Sequence, residues 1–429
     1  MASNKFFQAT IRVSGFYPFV LILSLLIPIS TTWADDEHYI NIIVGERPAG
    51  LGGAYTAVSN DTAGLFYNPA GIVYAEGQNL SVSVNSFYSS SKTYKNAIGG
   101  NDWARTSSSI VPNFFGLSKP FGPGVVGFSY AVPDTIIEDQ DQTFDNLQSY
   151  GISKFRMNFN KEDTTINAGP SYALKLGGGF STGLTLYYHN RGRKMIQNEF
   201  TWTEAGDFQW INKYRNVDEN GLRPLLGFMY APEESKTALG LAISKTYLVT
   251  ASAGMMERYR LVGSTSVVEL PMDLTVKREF PLNVKMGVTY RPSDRIFYTF
   301  DASYFSATEA AKETVEIAGL GSTIIELRAE KQAIWNFAGG VEYGFSDAYR
   351  FRSGIFSNMS PAYSIGEKNS DEKIDIYGAS FCVSQITEGS SVDLGMSFSY
   401  GKGEANKGGT IEEATVQSML FFLGTSHEY

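Results

Sequence analysis

The chain has 429 residues, a formal net charge of −9 and one cysteine. The negative charge excludes a nucleic-acid-binding protein, which would carry a basic patch, and the single cysteine excludes an intrachain disulfide. Aromatic residues make up 14% of the chain and charged residues only 18%, which argues against a disordered chain and against an ordinary soluble domain. Only one apolar run approaches the roughly 20 residues that a membrane-spanning helix needs, so the composition favours a β-rich protein with thinly spread apolar residues.

Residues 1–34 have the three parts of a secretory signal peptide. Lys5 and Arg12 give it a basic start, and a short apolar run follows at residues 16–29. Ala34 is a small residue directly before the expected cleavage point. The run is short for a spanning helix, although an uncleaved anchor is the alternative. We therefore expect this segment to be removed and the rest of the chain to be exported.

Residues 35–78 show no strand pattern and are rich in small residues. Positions 47–71 read RPAGLGGAYTAVSNDTAGLFYNPAG. Glycine permits close backbone approach, so this stretch can fold compactly in a confined space. A dinucleotide-binding fingerprint does not fit, because Tyr55 occupies its third glycine position and no strand precedes it.

From residue 79 onward the chain shows the two-residue period of β-strands. In one clear example, five apolar residues share a face and Lys285 lies on the opposite face; the five are Leu282, Val284, Met286, Val288 and Tyr290. If those five face lipid, Lys285 should point into a lumen. No helical region remains to cover a large open sheet, which disfavours a soluble sandwich.

Short turns and long polar connections alternate strictly between the strands. The short turns are at 119–123, 177–179, 231–235, 291–295, 346–347 and 388–390. The long connections are near 91–107, 134–163, 191–220, 250–280, 306–331, 359–371 and 402–413. Some residues of 134–163, 196–216 and 256–275 are expected to extend strands above the membrane. This alternation is typical of outer-membrane barrels with short periplasmic turns and long extracellular loops. The fold class is therefore all-β, a transmembrane antiparallel β-barrel of about 14 strands.

Segment 47–71 resembles the plug of the FadL-type family, which are outer-membrane transporters of long-chain fatty acids and aromatic hydrocarbons. The likeness rests on the Gly-Leu-Gly-Gly-Ala-Tyr run, the Asn60-Asp61 pair and the Asn-Pro-Ala-Gly ending. Residues 280–290 and 335–343 look like that family's C-terminal strands. The resemblance implies an N-terminal plug at 35–78 inside the lumen of a barrel at 79–429.

The resemblance also implies a mechanism, in which cargo is captured at the extracellular loops, held in a lumen pocket and released sideways after the plug rearranges. The plug residues expected to take part in gating are Gly50, Gly52, Gly53, Phe66, Tyr67, Asn68, Pro69 and Ala70. Gly124, Gly127 and Pro133 on the third strand are candidates for a lateral gap, because Gly and Pro weaken strand pairing. A plain barrel wall is the alternative.

A fatty acid would need a basic group to match its carboxylate in an apolar pocket. Arg47 and Lys285 are the candidates, although either could be a solvated lumen charge. The expected partners are a hydrophobic small molecule and the lipid and lipopolysaccharide of the outer membrane. We expect a monomer that binds no nucleic acid, cofactor or metal.

Two other classes of function remain open at this point. The first is a barrel subunit of a secretion or assembly complex that transports nothing itself. The second is an outer-membrane enzyme, which the sequence disfavours. The three histidines, His38, His189 and His427, stand in no recognisable catalytic arrangement, so we expect no catalytic residues.

Overall fold

The computed structural model describes residues 38–428 except 76, 261–264, 318–320, 327–329, 369 and 408. The predicted signal peptide, residues 1–34, lies outside the described residues. Two short helices come first, α1 (Glu46–Gly50) and α2 (Gly64–Tyr67), and a 3-10 helix follows at Pro69–Tyr74. A second 3-10 turn spans Gln148–Tyr150. No helix among the described residues is long and apolar enough to cross a membrane.

The rest of the described chain is almost entirely β-strand. The strands are β1 (Asn79–Ile98), β2 (Asn101–Phe121), β3 (Gly124–Phe144), β4 (Ile152–Gly177), β5 (Phe180–Thr203), β6 (Phe208–Tyr230), β7 (Thr237–Ser244), β8 (Tyr247–Arg260), β9 (Val268–Lys277), β10 (Asn283–Ser293), β11 (Ile296–Phe305), β12 (Lys312–Ile317), β13 (Gly321–Glu326), β14 (Ile334–Gly344), β15 (Tyr349–Asn358), β16 (Glu372–Thr387), β17 (Ser390–Lys407) and β18 (Thr410–Glu428).

These strands close into one antiparallel barrel, because β18 pairs with β1 along most of its length. Four barrel strands are each made of two segments in line. The seventh is β7 and β8, which both pair with β6; the eighth is β9 and β10, the ninth β11 and β12, and the tenth β13 and β14. The described residues therefore form 14 barrel strands, which confirms the predicted fold.

The outer surface carries the predicted apolar alternation. On β10, Met286, Val288 and Tyr290 are exposed, whereas the intervening Thr289 is fully buried. An apolar band on the outside of a closed barrel is the surface that lipid covers. The architecture is that of a multi-pass outer-membrane protein.

Most of the predicted long loops are in fact strand. The stretch 91–107 forms the ends of β1 and β2 around a turn at residues 99–100, and 191–220 is mostly β5 and β6. The longest strand, β4, has 26 residues, far more than the roughly 9–11 that cross a bilayer. The barrel wall therefore continues beyond the membrane on the extracellular side. Residues 359–371, by contrast, are irregular apart from one isolated bridge.

An apolar cluster fills part of this extracellular extension. Tyr94, Trp103, Phe144 and Phe155 are buried there with aliphatic residues of β16–β18. Arg105 on β2 forms a buried ion pair with Glu138 on β3 in the same region. The lumen beside strands β1–β4 is thus packed rather than open at this end.

Residues 38–75 lie inside the barrel as the plug. Its side chains are among the most buried of the described chain: Leu51, Tyr55, Leu65 and Ile72 are completely shielded from solvent. The plug packs against β3–β6 through its 3-10 helix and against β15–β18 through α1. It therefore bridges two sides of the wall.

A plug-bounded cavity in the lumen is the candidate functional site

One carboxylate holds the centre of the plug. Asp301 on β11 accepts hydrogen bonds from the backbone N–H groups of Tyr55 and Thr56, both at 2.9 Å, and from the Thr56 hydroxyl at 2.6 Å. These three hydrogen bonds give partners to plug donors that would otherwise be buried without one. The plug backbone is thereby fixed to the wall at a defined height.

A chain of alternating charges makes a second anchor. Arg47 of the plug contacts Asp61 at 3.0 Å and Glu342 of β14 at 3.3 Å. Glu342 in turn accepts from Arg352 of β15 at 2.6 Å, and Arg352 also pairs with Asp393 of β17. Each buried charge is matched by its neighbours, which is the condition for burying ions at moderate cost.

Glu46 lies beside this network, but no ion pair within the described part of the chain balances its charge. It is buried, it packs against Gly424, and its Oε2 atom has no hydrogen-bond partner among the described residues. Burial, and next the nearby Asp393 carboxylate, raise the pKa of Glu46 to about 8. The group is therefore mainly protonated at neutral pH, so docking α1 adds no unmatched negative charge.

The glycines of the plug motif allow it to touch the wall. Gly52 has φ +67°, and a Cβ atom there would lie 2.9 Å from the backbone of Ile355 on β15. Gly50 approaches equally closely, since its Cβ would lie 2.7 Å from the Cβ of Cys382. Gly53 has φ +85° in the same turn. Only glycine fits where a plug backbone meets a strand at these distances.

The end of the motif forms a hydrogen-bonded cap. Asn68 accepts from the N–H of Ala70 and donates to the carbonyls of Thr56 and Phe228, which ties the 3-10 helix to the plug and to β6. Pro69 is the first residue of that helix, where its missing N–H costs nothing. The Ala70 carbonyl accepts from Ser181 at 2.8 Å.

A cavity of about 250 Å³ lies between the plug and the wall. Plug residues 38–43, Phe66 and Tyr67 form one side of it, and residues from β3 to β15 form the other. Its apolar lining includes Phe280, Pro281, Phe305, Phe337 and Phe356. Its walls are thus largely aromatic and aliphatic, the usual character of a small-molecule site.

Six Lys and Arg side chains of the described residues line the cavity, and the four other than Lys245 and Lys331 differ in their partners. Arg191 contacts Asp163 at 2.8 Å, and Arg278 contacts Glu219 at 3.4 Å. Lys285 instead lies 5.2 Å from the ring centre of Tyr67, and Arg223 lies 5.1 Å from that of Phe66. Within the described part of the chain, neither of these two has a carboxylate within salt-bridge distance. Arg223 donates to the Ser244 hydroxyl at 3.5 Å, and the Asp301 carboxylate in the same lining attracts Lys285.

The two sequence candidates for a carboxylate partner therefore lie in different places. Lys285 points into the lumen and lines the cavity. Arg47 lies in the plug anchor and is matched by Asp61 and Glu342. The sequence reasoning missed Arg223, although alternation could have found it, because Arg223 lies between the outward-facing Leu222 and Leu226.

The wall has an opening beside the cavity, between β2 and β3. These strands pair from Phe114–Ala131 to Phe121–Gly124 and again at Ser107–Glu138. Residues 108–113 and 132–137 are all described, and no backbone pairing joins them. We call this segment the β2–β3 gap. Pro133 lies inside it, whereas Gly124 and Gly127 lie in the paired part below it.

The plug covers the β2–β3 gap from inside. The Ile42 N–H donates to the Pro133 carbonyl at 3.1 Å, and the Asn113 side chain donates to the Ile43 carbonyl at 3.2 Å. Pro133 and Asp134 also line the cavity. A short plug segment therefore separates the cavity from the gap.

No group of side chains among the described residues could hold a metal ion. His189 lines the cavity, and its Nδ1 atom lies 3.0 Å from the Asn167 side chain. Of the other two histidines, His38 contacts the Ile374 carbonyl and His427 contacts Ser390 near the turn between β16 and β17.

Solved structures with the same fold include a FadL homologue and two toluene transporters. A FadL homologue of Pseudomonas aeruginosa matches with TM-score 0.64 and 14% identity, over 91% of this chain and 99% of that one. The toluene transporter TodX of P. putida matches with TM-score 0.68 and 14% identity, over 92% and 99%. The toluene transporter TbuX of Ralstonia pickettii matches with TM-score 0.64 and 15% identity, over 91% and 100%. No protein-family model and no curated protein matches the sequence. At these identities the likeness shows a shared fold, which agrees with the fold that segment 47–71 led us to expect.

Proposed function

We propose that the protein is an outer-membrane channel for molecules that combine a long apolar body with one anionic group, such as long-chain fatty acids. The observation that carries this proposal is the pairing, in one cavity, of apolar walls with two cations, Lys285 and Arg223, that have no described carboxylate within salt-bridge distance. The solved structures of the same fold are consistent with a hydrophobic cargo, since one is named a FadL homologue and two are toluene transporters.

Charge balance supports an anionic rather than a neutral cargo. A buried cation without a partner is costly, and a carboxylate in hydrogen-bond reach would restore the balance. The rings of Tyr67 and Phe66 compensate only in part, because cation–π contacts are worth about 0.5–2 kcal/mol. A bound carboxylate between Lys285 and Arg223 would complete the site, with the apolar chain along the aromatic wall.

Release would follow through the β2–β3 gap once residues 42–43 withdraw from it. The plug holds the gap by the two hydrogen bonds to Pro133 and Asn113, each worth roughly 0.5–1.5 kcal/mol net. Cargo that presses on Phe66 and Tyr67 could offset a cost of this size. In this scheme Gly50, Gly52 and Gly53 fix the other end of the plug to the wall, so the N-terminal end moves first.

A binding experiment separates anionic from neutral cargo. We expect Lys285→Met and Arg223→Gln each to weaken fatty-acid binding about tenfold, which corresponds to roughly 1.4 kcal/mol, and to leave binding of the fatty alcohol of equal chain length unchanged. The measurement is titration of each ligand into the purified protein in detergent. Lys236→Gln, at an exposed turn far along β7 from the cavity, is the control.

Equal loss of both ligands would mean that these side chains only shape the cavity. Unchanged fatty-acid binding in both variants would contradict the proposed anion site and would favour a neutral hydrocarbon as cargo.

A further inference from the structure

A second stretch of the barrel wall lacks backbone pairing, between the seventh and eighth barrel strands. Below it, Ser244 on β7 pairs with Asn283 on β10; above it, Ser252 on β8 pairs with Thr275 on β9. Residues 245–251 and 276–282 are all described, and no pairing joins them. We call this segment the seven–eight gap.

The sequence explains the lost pairing. Pro281 lies on one edge and has no N–H to donate, and residues 278–282 belong to no strand. The pairing register is nevertheless the same above and below the gap, because Ser252 follows Ser244 by as many residues as Thr275 precedes Asn283. The two edges therefore face each other across the opening without sliding.

The lumen cavity reaches this gap from inside. Ser244, Lys245 and Thr246 on one edge and residues 278–281 on the other all line it. Because Pro133 and Asp134 line the same cavity, it runs from the β2–β3 gap to the seven–eight gap. Five barrel strands lie between the two openings on one side and nine on the other, so they face different parts of the membrane.

The outer face of the seven–eight gap lies at the extracellular edge of the apolar band. Leu222 is 45% exposed on β6, and it pairs with Tyr247 at the start of β8. Tyr247 and Val249 are 56% and 71% exposed. Above Leu222, the exposed residues of β6 become polar, as at Asp218. The opening is thus placed where the outer leaflet meets water.

The two openings are closed in different ways. Plug backbone covers the β2–β3 gap through Ile42 and Ile43. At the seven–eight gap, side chains rather than plug backbone make the contacts: Lys245 lies 5.8 Å from the Tyr247 ring on its own edge, and Arg278 reaches across the gap to Glu219 of β6 at 3.4 Å. Opening this gap therefore requires the Arg278–Glu219 ion pair to separate, a side-chain change that needs no movement of the plug backbone.

We infer that the seven–eight gap is a second lateral window, through which cargo enters the cavity from the outer leaflet while the plug keeps the β2–β3 gap closed. This inference rests on the proposed transport function. The alternative route through the extracellular mouth is narrowed on one side, where the lumen beside β1–β4 is packed with aromatic side chains. Lys245 at the edge would attract an anionic headgroup.

A reversible staple across the seven–eight gap tests this window. Leu248→Cys and Glu279→Cys place thiols at facing positions in the middle of the gap, to be joined by a bismaleimide with a cleavable disulfide spacer. Uptake of fatty acid into liposomes containing the protein should fall to the rate of empty liposomes and return on reduction. The native Cys382 is buried, and reagent-treated unsubstituted protein shows whether it reacts.

Leu239→Cys with Val288→Cys is the matched control, since these exposed residues pair directly on the same two barrel strands. Its staple should leave uptake unchanged. If the Leu248–Glu279 staple also leaves uptake unchanged, cargo does not use this window and the inference is overturned, whereas the transport function stands. If the unstapled protein carries no fatty acid at all, the proposed function and the window fail together.

Discussion

Arg352→Leu is expected to lower the free energy of unfolding by about 3–5 kcal/mol, because removing one partner of a buried ion pair leaves the other charge unmatched. Arg352 is the cation between Glu342 and Asp393. Arg47 and Arg350 still contact Glu342 in this variant, so Asp393 is the carboxylate left with least compensation. The measurement is denaturant unfolding of the protein refolded in lipid vesicles.

The same variant should loosen the plug, since Arg47 reaches the wall through the carboxylate that Arg352 orients. We expect the ion conductance of single molecules in planar bilayers to rise and to fluctuate as the plug loses its contacts with the barrel wall. Arg352→Lys should give a stability and a conductance between those of the unsubstituted protein and the Arg352→Leu variant. The lysine keeps the charge but loses the guanidinium geometry that contacts Glu342 and Asp393 together.

Arg350→Gln is the matched control for Arg352. It lies two residues away on β15 and contacts the same Glu342 at 3.3 Å, but its side chain is 44% exposed. An exposed pair contributes about 0–1 kcal/mol, so this variant should stay close to the unsubstituted protein in stability and conductance. Similar losses in the Arg350 and Arg352 variants would contradict the assignment of Arg352 as the buried anchor.

Closing the β2–β3 gap is expected to abolish release of cargo. Ser108→Cys and Ile137→Cys face outward at the upper end of the gap, next to the paired Ser107 and Glu138. A cleavable bismaleimide across them should leave fatty-acid binding intact, because neither residue lines the cavity. Uptake into liposomes should fall to background and recover on reduction.

The control for this staple is Lys119→Cys with Val126→Cys, because these residues are already partners in the strand pairing of β2 with β3. Stapling this pair should change neither fatty-acid binding nor uptake. Full uptake through a protein stapled at Ser108 and Ile137 would show that cargo leaves by another path, such as along the plug into the periplasm.

Strand alternation predicted the wall well where one face meets lipid. The series from Leu282 to Tyr290 lies outward as expected, and the short turns fall between the strands they were predicted to join. The signal failed above the membrane, where both faces are polar. Arg191 and Arg193 on β5, for example, face inward to Asp163, so a long strand reads as a charged loop.

The site itself could be predicted only in part. The plug motif was visible because its glycines are needed locally, as the close approach of Gly52 to Ile355 shows. The partners of the plug were not visible. Asp301 lies 245 residues from Thr56 in the chain, and no local pattern marks which strand will face the plug.

The two wall gaps escaped prediction for a similar reason. Pro133 and Pro281 each indicate weak pairing, but a gap also needs the facing strand to remain unpaired, which depends on the closed barrel. Gly124 and Gly127 illustrate the limit, because both lie in strand that pairs normally with β2.

The most direct test of the cavity as a cargo site is a high-resolution structure of the protein with a long-chain fatty acid. We predict elongated density between the plug and the wall, with the carboxylate within hydrogen-bond distance of Lys285 Nζ and the Arg223 guanidinium and with the chain along Phe280 and Phe305. A lumen filled with ordered water from end to end, with the fatty acid only on the outer surface, would contradict the account.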